Sequence, residues 1–155
     1  MMNCRKRNEK NNKMNEKEFF KNLEDGIAEL LQDEQAKVFR QCAENCASSF
    51  VLQEMRRQFE ECGCSLDTQY KKYGRTEYFY ADIIEPGRIY EIGYPKCFCP
   101  LVEAGFVKSA VHCECSRQSI IFVLQNLLPD KTIEVETIET VLSGAEKCKF
   151  RVKVK

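Results

Sequence analysis

The apolar residues of this chain change their period once, at Gly74, and that change narrows the folds open to it. Before Gly74 they recur at three- and four-residue steps. Phe19, Leu23, Ile27 and Leu30 or Leu31 form one stripe, Phe39, Cys42, Cys46 and Phe50 a second, and Val51, Met55, Phe59 and Cys62 a third. Such spacing sets one side of a helix into a core. Gly63 can end the third helix, and Ser65 is the expected N-cap of a short helix from Leu66 to Tyr73 closed by Gly74. Beyond Gly74 the residues favour strands. Tyr78 to Ile84 is rich in aromatic and β-branched types. Glu85-Pro86-Gly87-Arg88 is a turn, because proline presets φ and glycine tolerates positive φ at the next position. Ile89 to Tyr94 then returns as the partner strand.

An irregular stretch follows, from Cys97-Phe98-Cys99-Pro100 to His112-Cys113-Glu114-Cys115. Ser116 is the expected cap of a helix from Arg117 to Leu128, which Pro129 stops. Thr132 to Leu142 and Lys147 to Val154 read as strands joined by the turn Ser143-Gly144-Ala145-Glu146. In the last strand Cys148, Phe150, Val152 and Val154 alternate with charged residues, so Cys148 is expected to face inward. The predicted fold class is α+β: N-terminal helices packed on an antiparallel sheet built from two hairpins with an intervening helix. Residues 1–17 read as a disordered, polar tail and 18–155 as one domain, helical over 18–74 and sheet with helix over 75–155.

Charge excludes several functions. There are 24 basic and 24 acidic side chains, so no net positive field exists to attract nucleic acid or an anionic membrane. The apolar runs are too short to span a bilayer. The first 17 residues lack the apolar core of an export signal, which points to the cytoplasm. A homodimer and a small hydrophobic ligand stay open as partners. Tyr78, Phe79, Tyr80, Tyr90 and Tyr94 could line an apolar pocket or simply pack the sheet.

Ten cysteines are the chain's chemical signature. In a reducing compartment they are thiols rather than a disulfide framework. Cys62 and Cys64, Cys97 and Cys99, and Cys113 and Cys115 are each one residue apart, a spacing poorly suited to bridging within a pair. Thiolates are soft ligands for zinc or an iron–sulfur cluster. A tetrahedral zinc with bonds of about 2.3 Å holds its sulfurs close together, and alternate residues on a strand are roughly 6.7 Å apart at Cα, so a bend at Pro100 would help. Cys97, Cys99, Cys113 and Cys115 are the expected metal ligands, with Cys148 in reserve and His112, the single histidine, as a further donor. Cys42 and Cys46 read as buried filler, Cys62 and Cys64 are open, and Cys4 is incidental.

A second chemistry uses the same residues. Cys113 and Cys115 precede a helix whose free amides, together with Arg117, would lower a thiol pKa. Cys115 or Cys97 could then act as a nucleophile with His112 as its base, in a hydrolase acting on a cyclic amide-like substrate. A third reading makes every cysteine a small buried hydrophobe.

Cys97-Phe98-Cys99-Pro100, the helix after Ser116, and Ile133-Glu134-Val135-Glu136-Thr137 leading to Leu142-Ser143-Gly144-Ala145-Glu146-Lys147-Cys148-Lys149-Phe150 carry a resemblance. The segment from Cys97 to Val154 resembles the small-molecule-binding domain named after bacteriochlorophyll 4-vinyl reductase, related to the heme nitric-oxide-binding domains. The resemblance implies helices on an antiparallel sheet, a cavity for a hydrophobic ligand, and metal binding at Cys97, Cys99 and Cys148. A fainter likeness is to proteins similar to 2-amino-thiazoline-4-carboxylate hydrolase. The combined expectation is a non-catalytic metal- or small-molecule-binding sensor or accessory domain.

Overall fold

The computed structural model describes residues 15–48 and 50–155. Four helices come first: α1 (Glu16–Ala28), α2 (Gln32–Ala47), α3 (Phe50–Glu61) and α4 (Leu66–Tyr73). The hairpin β1 (Tyr80–Glu85) and β2 (Ile89–Tyr94) follows, then the one-turn helix α5 (Pro100–Glu103), a 3-10 turn at Ala110–Cys113 and the long helix α6 (Glu114–Leu127). The chain closes with β3 (Ile133–Glu139), a 3-10 turn at Val141–Ser143 and β4 (Cys148–Val154). The expected α+β class is what the structure has, with all strand pairs antiparallel in the order β1-β2-β4-β3.

The last strand is therefore interior. Its alternation puts Cys148, Phe150, Val152 and Val154 on the covered face, and Phe150 and Val152 are fully buried. One face of α6 lies over them, with Ile120, Val123, Leu124 and Leu127 buried. On its other side α6 meets α2, whose buried residues are Ala36, Phe39, Ala43 and Ala47. Alanines let two helix backbones come close, close enough for Ser119 Oγ to donate to the Ala43 carbonyl at 3.5 Å.

Two local devices hold the first hairpin in place. Asp67 on α4 accepts from the Gly87 amide at 3.0 Å and from the Tyr90 hydroxyl at 2.8 Å, tying the turn to the helical half. The Tyr80 hydroxyl reaches across β2 to the Cys148 carbonyl at 2.9 Å, passing directly over Gly93. A Cβ at Gly93 would collide with that carbonyl.

Several boundaries differ from expectation. The helix at the N-terminus begins at Glu16, capped by Asn15, so the polar tail is shorter than 17 residues; residues 1–14, Cys4 among them, lie outside the described residues. Cys42 and Cys46 are exposed rather than buried, because Ala36, Phe39, Ala43 and Ala47 form the packed stripe of α2. Phe19 and Leu23 are also exposed. The side of α1 that packs carries Ile27 and the buried Glu24, which accepts from the Lys108 and Ser109 amides at 3.2 and 3.3 Å. Helix α6 starts two residues before Ser116, with Cys113 at its cap, so Cys115 lies in the first turn rather than ahead of it. Cys97 lies in irregular chain and Cys99 caps α5. No described residue of that segment belongs to a strand, because Pro100 opens a helical turn.

Two substitutions test this architecture. Phe150→Ala should lower the unfolding free energy by about 3–5 kcal/mol in urea titration. Gly93→Ala should cost more than about 2 kcal/mol although it adds one methyl group, because the added carbon meets backbone.

Candidate functional site

Thiols from four separate elements gather at one end of α6. The clearest contact is Cys99 Sγ, 3.7 Å from His112 Nε2. Burial pushes the Cys113 thiol up to about 11, opposed by a hydrogen bond from Thr140, while the nearby charges of Cys148, Cys97 and Cys99 add to the rise. Cys148 is also raised, first by burial and then by Cys97, although the Val141 amide donates to its sulfur at 3.5 Å and pulls the other way. Cys115 belongs to a neighbouring group. Burial drives it up to about 12, and the thiols it senses most are Cys46 and Cys42 on α2, then Cys99 and Cys113. The segments around residues 97–99 and 113–115 are thus neighbours, joined by Cys148 from the sheet.

The gathering is loose. Among the described residues no three His, Cys, Asp or Glu side chains stand close enough together to hold a metal ion. The donor types fit zinc or an iron–sulfur cluster, and the side-chain positions do not. Cys62 is buried beside the core and takes no part, while Cys64 is exposed in a left-handed turn after Gly63.

The lowered thiol pKa expected at the start of α6 is not what the structure has. Cys113 and Cys115 are raised rather than lowered, since burial outweighs the helix amides. His112 meets Cys99 instead of Cys115 or Cys97. Its ring stands edge-on to Phe39 at 5.5 Å, and burial lowers its pKa. Arg117 is paired with the buried Glu114 at 2.7 Å and donates to the Val135 carbonyl.

A second feature lies beside this cluster. An apolar cleft of about 390 Å³ opens between α3 and α4 on one side and β2 and α6 on the other. Met55, Tyr70, Phe79, Ile92, Tyr94 and Val123 are among its lining residues. Phe50 and Tyr78, more than half exposed, are also part of its wall. Of the aromatic residues expected to form a pocket, Tyr78, Phe79 and Tyr94 do so. Tyr90 instead packs in the core and bonds Asp67, and Tyr80 bonds the Cys148 carbonyl. Tyr70 went unnoticed in the sequence because it lies in a helix of mostly polar residues; its position between Leu66 and Gly74 is the signal that was there to read. Its hydroxyl and the Oε1 of adjacent Gln69 are buried with no partner among the described residues. A buried hydroxyl without a bond costs about 1–3 kcal/mol. Tyr94 stands between the two features: it lines the cleft, and it is register partner of Cys148.

These thiols predict a reactivity order and a pH dependence. Iodoacetamide at neutral pH should label exposed Cys42, Cys46 and Cys64 before Cys113, Cys115 and Cys148, as read by peptide mass spectrometry. Above pH 9.0, the ordinary thiol value, the unfolded chain loses protons that folded Cys113 and Cys115 keep up to about 11 and 12. Stability should therefore fall as pH rises through that window, and Cys115→Ala should flatten the fall in urea titrations.

No protein-family model matches the chain, and no curated protein does. Among solved structures it is similar to a trafficking protein particle complex subunit 3 from Naegleria fowleri, covalently bound to palmitic acid. That match has a TM-score of 0.43 and 13% identity, and covers 92% of this chain and 96% of the other. The likeness falls below the level at which a common fold or function follows.

Proposed function

We propose that this chain is a binding module for a small hydrophobic molecule, acting as a sensor or accessory domain rather than as an enzyme. One observation carries the reading: the apolar cleft between α3, α4, β2 and α6, whose volume of about 390 Å³ is in the range of small-molecule sites. Apolar area removed from water supplies the affinity, and the exposed Phe50 and Tyr78 give a ligand a way in. The raised Cys113 and Cys115 thiols, and a His112 that meets Cys99 rather than Cys115, favour this binding reading over a cysteine hydrolase.

A second reading has its own observation, the convergence of thiols from the 97–99 loop, the start of α6 and β4. In it Cys97, Cys99, Cys113, Cys115 and Cys148 hold zinc or an iron–sulfur cluster, with His112 beside Cys99. Such a metal would tie the loop, α6 and the sheet together. Reaching it requires side-chain movement, since among the described residues no three donors are gathered.

Two measurements separate these readings. Nile red should brighten on binding the protein, and Val51→Trp, which fills the rim of the cleft, should reduce that binding about tenfold or more with little loss of stability. Absence of any brightening would remove the first reading. Protein purified without oxygen should contain close to one equivalent of zinc or a cluster if the second holds, and Cys113→Ser should abolish it; metal far below one equivalent ends that reading.

A further inference from the structure

The cleft is rich in aromatic rings. Phe50, Tyr70, Tyr73, Tyr78, Phe79 and Tyr94 are six of its sixteen lining residues, whereas aromatic residues make up 10% of the chain. They come from the start of α3, from α4, from the segment before β1 and from the end of β2. Helix α6 contributes aliphatic side chains instead, Ile120, Val123 and Leu124. Phe50 is 74% exposed and Tyr78 58%, so two of the rings keep much of their area in water.

Charge in this wall is already spent. Among the described residues that line the cleft, none is Lys, Arg or His, and Glu54 is the one carboxylate. Glu54 is bound by Arg57 at 2.7 Å and by Gln58 at 2.9 Å. Arg57 also holds Glu61 at 2.8 Å, and Glu61 binds Lys72 and the Tyr73 hydroxyl. The two cations that lie over the Tyr73 ring, Arg57 and Lys72, are thus paired with carboxylates. A compact ligand carrying a net charge into the cleft would give up hydration and meet no free opposite charge. That costs far more than burying an uncharged group.

We infer that the cleft takes an uncharged, planar aromatic molecule, held by ring contacts with Phe50, Tyr78 and Phe79 rather than by an ion pair. The inference rests on the cleft being a ligand site and names the chemical class of its ligand. Offset and edge-on ring contacts add to what area burial supplies. An aliphatic molecule gains only the area, and an aromatic carboxylate gains the rings but loses its hydration.

The test compares three probes by calorimetry at neutral pH: 2-acetylnaphthalene, 2-naphthoate, and 2-nonanone as an aliphatic ketone of comparable hydrophobicity. The uncharged naphthalene should bind about tenfold or more tightly than either of the others. Replacing two rings by aliphatic groups, in the double variant Phe50→Leu with Tyr78→Leu, should weaken 2-acetylnaphthalene about tenfold and change 2-nonanone by less than about threefold. Both positions are exposed, so the variant should keep the parent's thermal midpoint within a few degrees. Equal affinity for 2-naphthoate would overturn the uncharged class. Equal affinity for 2-nonanone, or 2-acetylnaphthalene binding indifferent to the double variant, would overturn the aromatic class and leave the cleft a ligand site. Failure of all three probes and of Nile red would overturn the cleft reading, and this one with it.

Discussion

The structure depends on one buried contact, the apolar face of β4 pressed under α6. Phe150 and Val152 are fully buried there, and Leu124 above them is almost so. Because β4 lies between β2 and β3, both of its edges are paired and one of its faces is covered. Burial there takes the apolar face of β4 and one face of α6 out of water together. Helix α6 can cover the strand only if its far side finds α2, and the alanines of α2 make the close approach possible.

The same packing explains the electrochemistry of the thiols. A helix N-terminus normally favours an anion, through its free amides and dipole. Here the N-terminus of α6 is folded in among α2, the 97–113 loop and the sheet. Lost hydration outweighs the dipole, and Cys113 and Cys115 are held as neutral thiols. Arg117, which might be expected to favour a thiolate in sequence, is consumed by Glu114.

The two candidate features share a wall. Tyr94 lines the cleft and pairs in register with Cys148, while Ser119 lines the cleft one turn beyond Cys115 and bonds its carbonyl. A change at the thiols and a ligand in the cleft would both press on this strip of β2 and α6.

Much of the fold was legible in the residues alone. The switch of period at Gly74, the Pro86-Gly87 turn, the Ser65 cap and the inward face of β4 depend on near neighbours in sequence, and each was read within a residue or two. Where reading failed, a distant partner decided. Phe19 and Cys42 match a helical stripe, yet the packed faces of α1 and α2 are set by the Lys108 and Ser109 amides and by α6. The sequence by itself determined the α+β class and the strand alternation. Only the tertiary structure decided that Cys99 rather than Cys115 meets His112, that Cys113 and Cys115 are raised, and that Tyr70 lines a cleft. The physical reason is that periodicity and turn propensity act over a few residues, whereas burial and electrostatic environment are sums over whatever the fold brings near.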